Sequence, residues 1–301
     1  MTEFKSGFVS IIGKTNVGKS TMLNSLIGTQ VAITTSKPQT TRTAIKGIVN
    51  RDNSQIVFID TPGIHKTKNK FGEAMTNIAY EALGEVDVIL FLIEATYKQI
   101  GQADKIILEK LKEKHKKVIL VINKIDLVPK ENLLNLINLY KEEYDFKAII
   151  PISALKNKEL ETLLDEIEKL LPEGPAYYNI DEYTDQTERQ IVEEVVREKC
   201  LKLLNDEVPH GIYVKVEKMK LRKTKNGEDI YDVDINIYCT RNSHKGIIIG
   251  KNGEMLKRIA SYSRQKLEKM LDIKLNMNIW VKVQEDWQNK DSIIKSLNKQ
   301  S

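Results

Sequence analysis

The stretch Gly13-Lys14-Thr15-Asn16-Val17-Gly18-Lys19-Ser20 constrains this chain more than any other. It has the G-x-x-x-x-G-K-S spacing of a phosphate-binding loop. It follows the apolar run at 8–12 and opens a helical pattern over 21–26. Glycines let backbone N–H groups turn inward around an anion with no Cβ in the way. The positive end of the following helix faces the same anion. Lys19 is expected to reach the β- and γ-phosphates, and the Ser20 hydroxyl to ligate Mg²⁺. The phosphate cradle is expected to extend from Gly13 to Thr21. A chance glycine turn would have no reason to carry both the strand and the helix.

Residues 8–150 alternate apolar runs with helical stretches. The runs lie at 9–12, 45–49, 56–59, 86–93, 118–122 and 148–150. The inner ones are nearly continuous in Val, Ile and Leu, the pattern of a mostly parallel sheet with helices on both faces. The short polar turn at 50–54 predicts an antiparallel hairpin between the second and third runs. In such α/β sheets ligands sit at the carboxyl ends of the strands.

Three further motifs fall at those ends. Asp60-Thr61-Pro62-Gly63 places a carboxylate for the Mg²⁺ shell, through water, and a Gly63 N–H for a γ-phosphate. Asn123-Lys124-Ile125-Asp126 selects the base. The Asp126 carboxylate accepts from both N1–H and the 2-amino group of guanine, a donor pair that adenine lacks. Ser153-Ala154-Leu155-Lys156 is expected to offer backbone N–H groups to the guanine carbonyl, and Ser153 also suits a plain helix N-cap. Together these indicate a GTPase rather than an ATPase or another P-loop transferase.

The polar, threonine-rich loop at 34–43 reads as a switch that supplies one threonine to Mg²⁺ when γ-phosphate is present. A simple linking loop is the alternative. The stretch at 60–80 reads as a second loop ordered by the nucleotide. No side-chain base for hydrolysis is assigned. Many GTPases carry a water-orienting Gln just after D-x-x-G; here that position is Ile64, followed by His65, which reads as an ordinary loop histidine. Intrinsic hydrolysis is therefore expected to be slow, with Lys19, Asn16 and a switch threonine acting through charge and position.

A length of 301 residues fits two domains. No apolar run approaches the roughly 18 residues that span a bilayer, and the first residues lack the apolar core of a secretory signal. Cys200 and Cys239 form no C-x-x-C pair. A cytoplasmic protein is expected. The boundaries read as a nucleotide domain over 1–172, a proline- and glycine-broken linker over 173–186, a second domain over 187–285 and a mobile tail over 286–301.

The second half begins with a helical stripe from 187 to 204. Alternating strands follow near 212–217, 233–239 and 279–283, read as a small antiparallel sheet with one apolar face. Between the last two lie two helical stretches joined by Gly250-Lys251-Asn252-Gly253. Helix, strand, strand, helix, G-x-x-G, helix, strand is the order of an α+β type II KH domain, whose glycines admit a nucleic-acid backbone. Lys245, Lys251, Lys257 and Arg258, with Asn252 in the loop, are the candidate phosphate contacts. Residues 215–282 hold 16 Lys and Arg against 8 Asp and Glu, so the overall net charge of +5 concentrates here. The alternative is a second domain that binds a protein or a membrane surface.

These motifs in this order resemble the Era family of bacterial ribosome-associated GTPases, almost from end to end. The matching stretches are 13–20, Gln39-Thr40-Thr41-Arg42, 60–63, 123–126, Ser153-Ala154 and the Gly250–Gly253 loop before Glu254-Met255-Leu256-Lys257. The resemblance implies GTP and GDP as ligands with Mg²⁺. It also implies binding to the 3′ end of small-subunit ribosomal RNA, a role in small-subunit maturation, and peripheral association with the cytoplasmic membrane. A monomer is expected. The T-T-R pattern favours Thr41 over Thr40 as the metal ligand. Asn16 resembles the asparagine with which related GTPases hold a stimulating K⁺. Where many relatives have Gly-Arg-Pro-Asn, this loop has Gly-Lys-Thr-Asn, and Asn16 is retained.

Overall fold

Strand β1 (Lys5–Ile12) and helix α1 (Lys19–Ile27) bracket the glycine loop in the computed structural model. It describes residues 3–35, 37, 40–42, 44–63, 69–84 and 86–298. The chain forms two units, Met1–Asp185 and Gln186–Gln300.

In the first unit the order continues with β2 (Ile45–Arg51), β3 (Ser54–Asp60), α2 (Lys70–Glu81), β4 (Val88–Glu94), α3 (Gln102–Lys114) and β5 (Lys117–Asn123). Then come α4 (Lys130–Lys141), β6 (Ala148–Pro151) and α5 (Leu160–Leu170). The sheet order is β2-β3-β1-β4-β5-β6, parallel except for the β2–β3 hairpin. Central β4 shows why helices must cover both faces. Val88, Leu90 and Leu92 point into a core with Leu23 of α1 and Leu163 of α5. Ile89, Phe91 and Ile93 point into a second core with Leu111 of α3 and Tyr140 of α4. Each such side chain contributes about 1.5–3 kcal/mol by leaving water.

The segment read as a linker over 173–186 is tied down through residue 185. Tyr177 and Tyr178 N–H groups donate to Gln55 Oε1 at 2.7 and 2.9 Å. Ile48 N–H donates to Tyr183 O at 3.0 Å, and Thr184 Oγ1 to Lys46 O at 2.8 Å. The strap thus satisfies backbone groups on edge strand β2 that would otherwise invite pairing with another chain. Prolines and a glycine mark where it turns, and say nothing of what it lies against.

The second unit comprises α6 (Glu188–Leu203), β7 (Tyr213–Lys223), β8 (Asp229–Cys239), α7 (Asn242–Ile249), α8 (Glu254–Leu271), β9 (Lys274–Val283) and α9 (Asp291–Asn298). Thr187 and Gln190 form a capping box at the start of α6. The element order is the expected one, but the sheet is mixed. β7 and β8 are antiparallel, whereas β9 runs parallel to β8. The α7–α8 crossover returns the chain to the end where β8 began, so β9 must run in the same direction.

The mobile tail expected over 286–301 is corrected for the described residues 286–298. Trp287 is fully buried, donates from Nε1 to Gly211 O at 2.9 Å, and packs edge-on against Tyr213 at 4.8 Å. Helix α9 follows, with Ile294 buried. One anchoring tryptophan leaves no periodicity to read. Among the described residues no helix is long and apolar enough to cross a membrane.

Candidate functional site

The glycine loop turns from the end of β1 into α1, whose first turn holds no acidic residue. Its positive end is therefore unneutralised by its own side chains. Gly18 has φ +102°, and a Cβ there would lie 2.2 Å from Asn123 Nδ2. That nitrogen donates to Val17 O at 2.9 Å. The glycine is what lets the asparagine at the end of β5 hold the loop. Lys19 is buried, and Nζ donates to Gly13 O at 3.0 Å and Lys14 O at 2.8 Å. Burial pushes its pKa down to about 8, opposed by the Asp60 charge. A desolvated ammonium resting on neutral carbonyls is set to gain from an arriving phosphate.

Thr41, Ser20 and Asp60 converge beside it. Ser20 Oγ donates to Asp60 Oδ2 at 2.7 Å, Thr41 Oγ1 to the same oxygen at 3.1 Å, and the two hydroxyls are 3.0 Å apart. Asp60 is fully buried, and its Oδ1 has no hydrogen-bond partner among the described residues. Burial holds its carboxyl above the usual range, against Lys19 and the two hydroxyls. An all-oxygen set around a buried, half-satisfied carboxylate fits a hard divalent cation such as Mg²⁺. Gly63 closes the arrangement: a Cβ there would fall 2.8 Å from Thr15 Cγ2 and 2.9 Å from its Cα. A cleft of about 430 Å³ is lined by Asn16, Lys19, Ser20, Thr41, Gly63 and Lys124, among others.

At the far end, Asn123 Oδ1 accepts from Lys124 N–H at 2.8 Å and Ala154 N–H at 3.0 Å. The Ala154 amide, expected to meet the guanine carbonyl, is thus spent on Asn123 in this structure. Ser153 makes no side-chain N-cap bond. Its Oγ instead donates to Asp126 Oδ1 at 2.6 Å, and Lys156 Nζ lies 3.6 Å from Oδ2. The Ser153 bond is the main reason the Asp126 carboxyl sits below its ordinary range. It stays ionised, as an acceptor of two guanine donors must.

Side chains that spacing could not reveal hold two of these motifs. Lys124 Nζ is 2.5 Å from Glu94 Oε2 at the end of β4. Lys14 Nζ is 2.5 Å from buried Asp104 Oδ2 and 4.3 Å from the Tyr97 ring centre. Lys14 therefore serves the loop through its carbonyl, with its side chain turned to α3. The stretch 60–80 is not all loop: Asn69 caps α2 by accepting from Gly72 N–H at 2.8 Å. Arg42 of the other switch stretch lies 5.4 Å from the Phe71 ring centre. Ser36, Pro38, Gln39, Thr43, Ile64 and His65 lie outside the described residues.

In the second unit Gly250 (φ +72°, ψ 175°) adopts a positive-φ extended backbone open almost only to glycine, and Asn252 (φ +51°) and Gly253 (φ +79°) adopt left-handed backbone between α7 and α8. A Cβ at Gly250 would meet Met255 Cβ at 2.8 Å, whereas at Gly253 it would meet open space. Lys251, Asn252, Lys257 and Arg258 are exposed, and Lys245 is half-buried. Next to them Ile247 is half exposed.

A mostly parallel sheet with a phosphate-type glycine loop, oxygen groups placed for a hard metal and a carboxylate placed for guanine at its strand ends is the arrangement of a P-loop GTPase; here a KH domain follows it. The 50S ribosome-binding GTPase family matches residues 8–124, and the KH domain family matches residues 207–288. "GTPase Era" of Thermoanaerobacter sp. (strain X514) is 49% identical over 293 residues, covering 97% of this chain and 96% of that one. The Clostridium kluyveri protein of that name is 48% identical, covering 97% and 98%. The crystal structure of a single-residue variant of Aquifex aeolicus Era bound to GDP.AlF4⁻ superposes with TM-score 0.92 at 40% identity, covering 97% of this chain and 98% of that one. That of Era in complex with MgGDPNP and nucleotides 1506–1542 of 16S ribosomal RNA gives 0.93 at 41%, with the same coverage. This chain belongs to the Era family of GTPases.

Proposed function

We propose that this GTPase is a nucleotide-controlled switch that binds the 3′ end of small-subunit ribosomal RNA through its KH domain and acts in maturation of the small subunit. The observation that carries the RNA half is the tight Gly250–Gly253 loop, with positive φ at Gly250, Asn252 and Gly253, beside exposed Lys251, Lys257 and Arg258. A relative with the same two-domain architecture was solved with 16S ribosomal RNA nucleotides, which supports the reading.

In the nucleotide domain, Lys19 and the loop N–H groups hold the β- and γ-phosphates, and Asp126, oriented by Ser153, reads guanine. Ser20, Thr41 and Asp60 would hold Mg²⁺, which when bound would supply positive charge against the phosphate oxygens. Thr41 and Gly63 respond to the γ-phosphate, so hydrolysis releases the two switch stretches. With Ile64 where a water-orienting glutamine would stand, turnover relies on positioning and charge. Asn16 with K⁺ adds to that charge, and equal hydrolysis rates in K⁺ and Na⁺ would remove this part. The protein works in the cytoplasm as a monomer.

The double variant Gly250→Asp/Gly253→Asp places two carboxylates where phosphates approach. It is expected to lose binding to an rRNA 3′-end oligonucleotide while keeping GDP affinity. Unchanged RNA affinity would move the second domain to a protein or membrane partner.

A further inference from the structure

The face of the β7–β8–β9 sheet opposite its helices carries an arrangement that the glycine loop does not use. Val214, Val216, Val233, Ile235, Ile237 and Val281 point into the helical core. The residues between them form cross-strand rows on the other face. One row is Lys215–Asn236–Trp280, and the next is Tyr213–Tyr238–Lys282. Trp280 is 49% exposed, in the middle of a polar surface.

The carboxylates of this face are committed. Glu217 accepts from Asn236 Nδ2 at 2.8 Å and Tyr238 OH at 3.0 Å. Asp232 accepts from Arg222 Nε at 2.5 Å and Asn276 Nδ2 at 2.8 Å, and Asp234 from Asn278 Nδ2 at 3.0 Å. The lysines are held less tightly: among the described residues no ion pair holds Lys215, Lys218, Lys220 or Lys282, although Lys215 and Lys282 act on the Glu217 charge and Lys282 Nζ lies 6.0 Å from the Tyr238 ring centre. A planar aromatic surface among ammonium groups that no ion pair holds, with the acids already hydrogen-bonded, is complementary to an unpaired base flanked by phosphates.

We propose that this open sheet face is a second single-stranded nucleic-acid contact, with a base stacked on Trp280 and phosphates against Lys215 and Lys282. It rests on the reading that the second domain binds RNA, and adds a surface away from the glycine loop's own side of the sheet.

The chain has two tryptophans, which makes the test direct. Trp287 is fully buried and its Nε1 is hydrogen-bonded, so it serves as an internal control. The probe is single-stranded oligoadenylate of about 20 nucleotides, longer than one such site. Binding is followed by anisotropy of the labelled probe, and stacking by quenching of tryptophan emission in the full-length protein. Quenching in the wild type that is absent in Trp280→Phe, with about tenfold weaker binding in Trp280→Ala and unchanged GDP affinity, is expected. Binding by anisotropy with Trp280 emission unchanged would overturn this proposal alone and leave the face to a protein partner. No binding of this probe would overturn this proposal, whereas the RNA reading of the domain falls only if the rRNA 3′-end oligonucleotide is not bound either.

Discussion

Ser153 Oγ donates a 2.6 Å hydrogen bond to Asp126 Oδ1, joining the loop after β6 to the base-reading carboxylate after β5. The bond fixes one carboxylate oxygen and keeps the group ionised. Ser153→Ala is therefore expected to weaken GDP binding about tenfold, within the range for a hydrogen bond to a charged group at a partly exposed site. Weak ATP binding should not change. Calorimetric titration with both nucleotides checks this, and equal GDP affinity in variant and wild type would contradict it.

Thr41 and Thr40 are adjacent but differently placed. Thr41 Oγ1 faces Ser20 and Asp60, whereas Thr40 Oγ1 donates to Lys37 O within its own loop at 2.9 Å. Thr41→Ala is expected to weaken binding of a non-hydrolysable GTP analogue at least tenfold in Mg²⁺ and to leave GDP affinity unchanged. Thr40→Ala should stay within about threefold of wild type. In EDTA the Thr41 variant and the wild type should converge, because the loss acts through the metal.

The two glycines of the second-domain loop differ in what they tolerate. Alanine at Gly250 would combine a backbone conformation open almost only to glycine (φ +72°, ψ 175°) with a 2.8 Å contact to Met255 Cβ. Alanine at Gly253 would meet only the backbone cost. Urea denaturation should show a loss of about 1–2 kcal/mol for Gly253→Ala and about 2–4 kcal/mol for Gly250→Ala. Equal losses would contradict the packing at Met255.

Glu193 on α6 is buried and accepts from Val216 N–H at 2.7 Å. Burial pushes its pKa up to about 7, partly offset by that bond. The folded state thus holds a proton that the unfolded state has released. Stability of the second domain is expected to fall as pH rises from the ordinary carboxylate range to about 7, and to level off above it. Glu193→Gln should flatten that slope in thermal melts across pH. An unchanged slope would show that Glu193 ionises normally.

The nucleotide site is legible in the sequence because each motif is local. Spacing alone places Lys19, Ser20, Asp60, Asn123 and Asp126 at the strand ends where they meet. What escapes depends on distant packing. Glu94 holds Lys124 and Asp104 holds Lys14 only because β4 and α3 lie beside those loops. The parallel direction of β9 follows from a crossover that alternation cannot record, since parallel and antiparallel strands alternate alike. Residues 173–185 and Trp287 look loose in the sequence because each is held by contacts remote along the chain.

The central claim is that the bound nucleotide sets the RNA affinity of the KH domain. A ligand can shift such an equilibrium only by its differential affinity for the two states. The direct test is binding of a single-stranded oligonucleotide from the small-subunit rRNA 3′ end to the full-length protein, loaded with Mg²⁺ and either a GTP analogue or GDP, across a salt series. The prediction is tight binding in one nucleotide state, weaker by tenfold or more in the other. Equal affinity in both states, or none in either with nucleotide still bound, would contradict it.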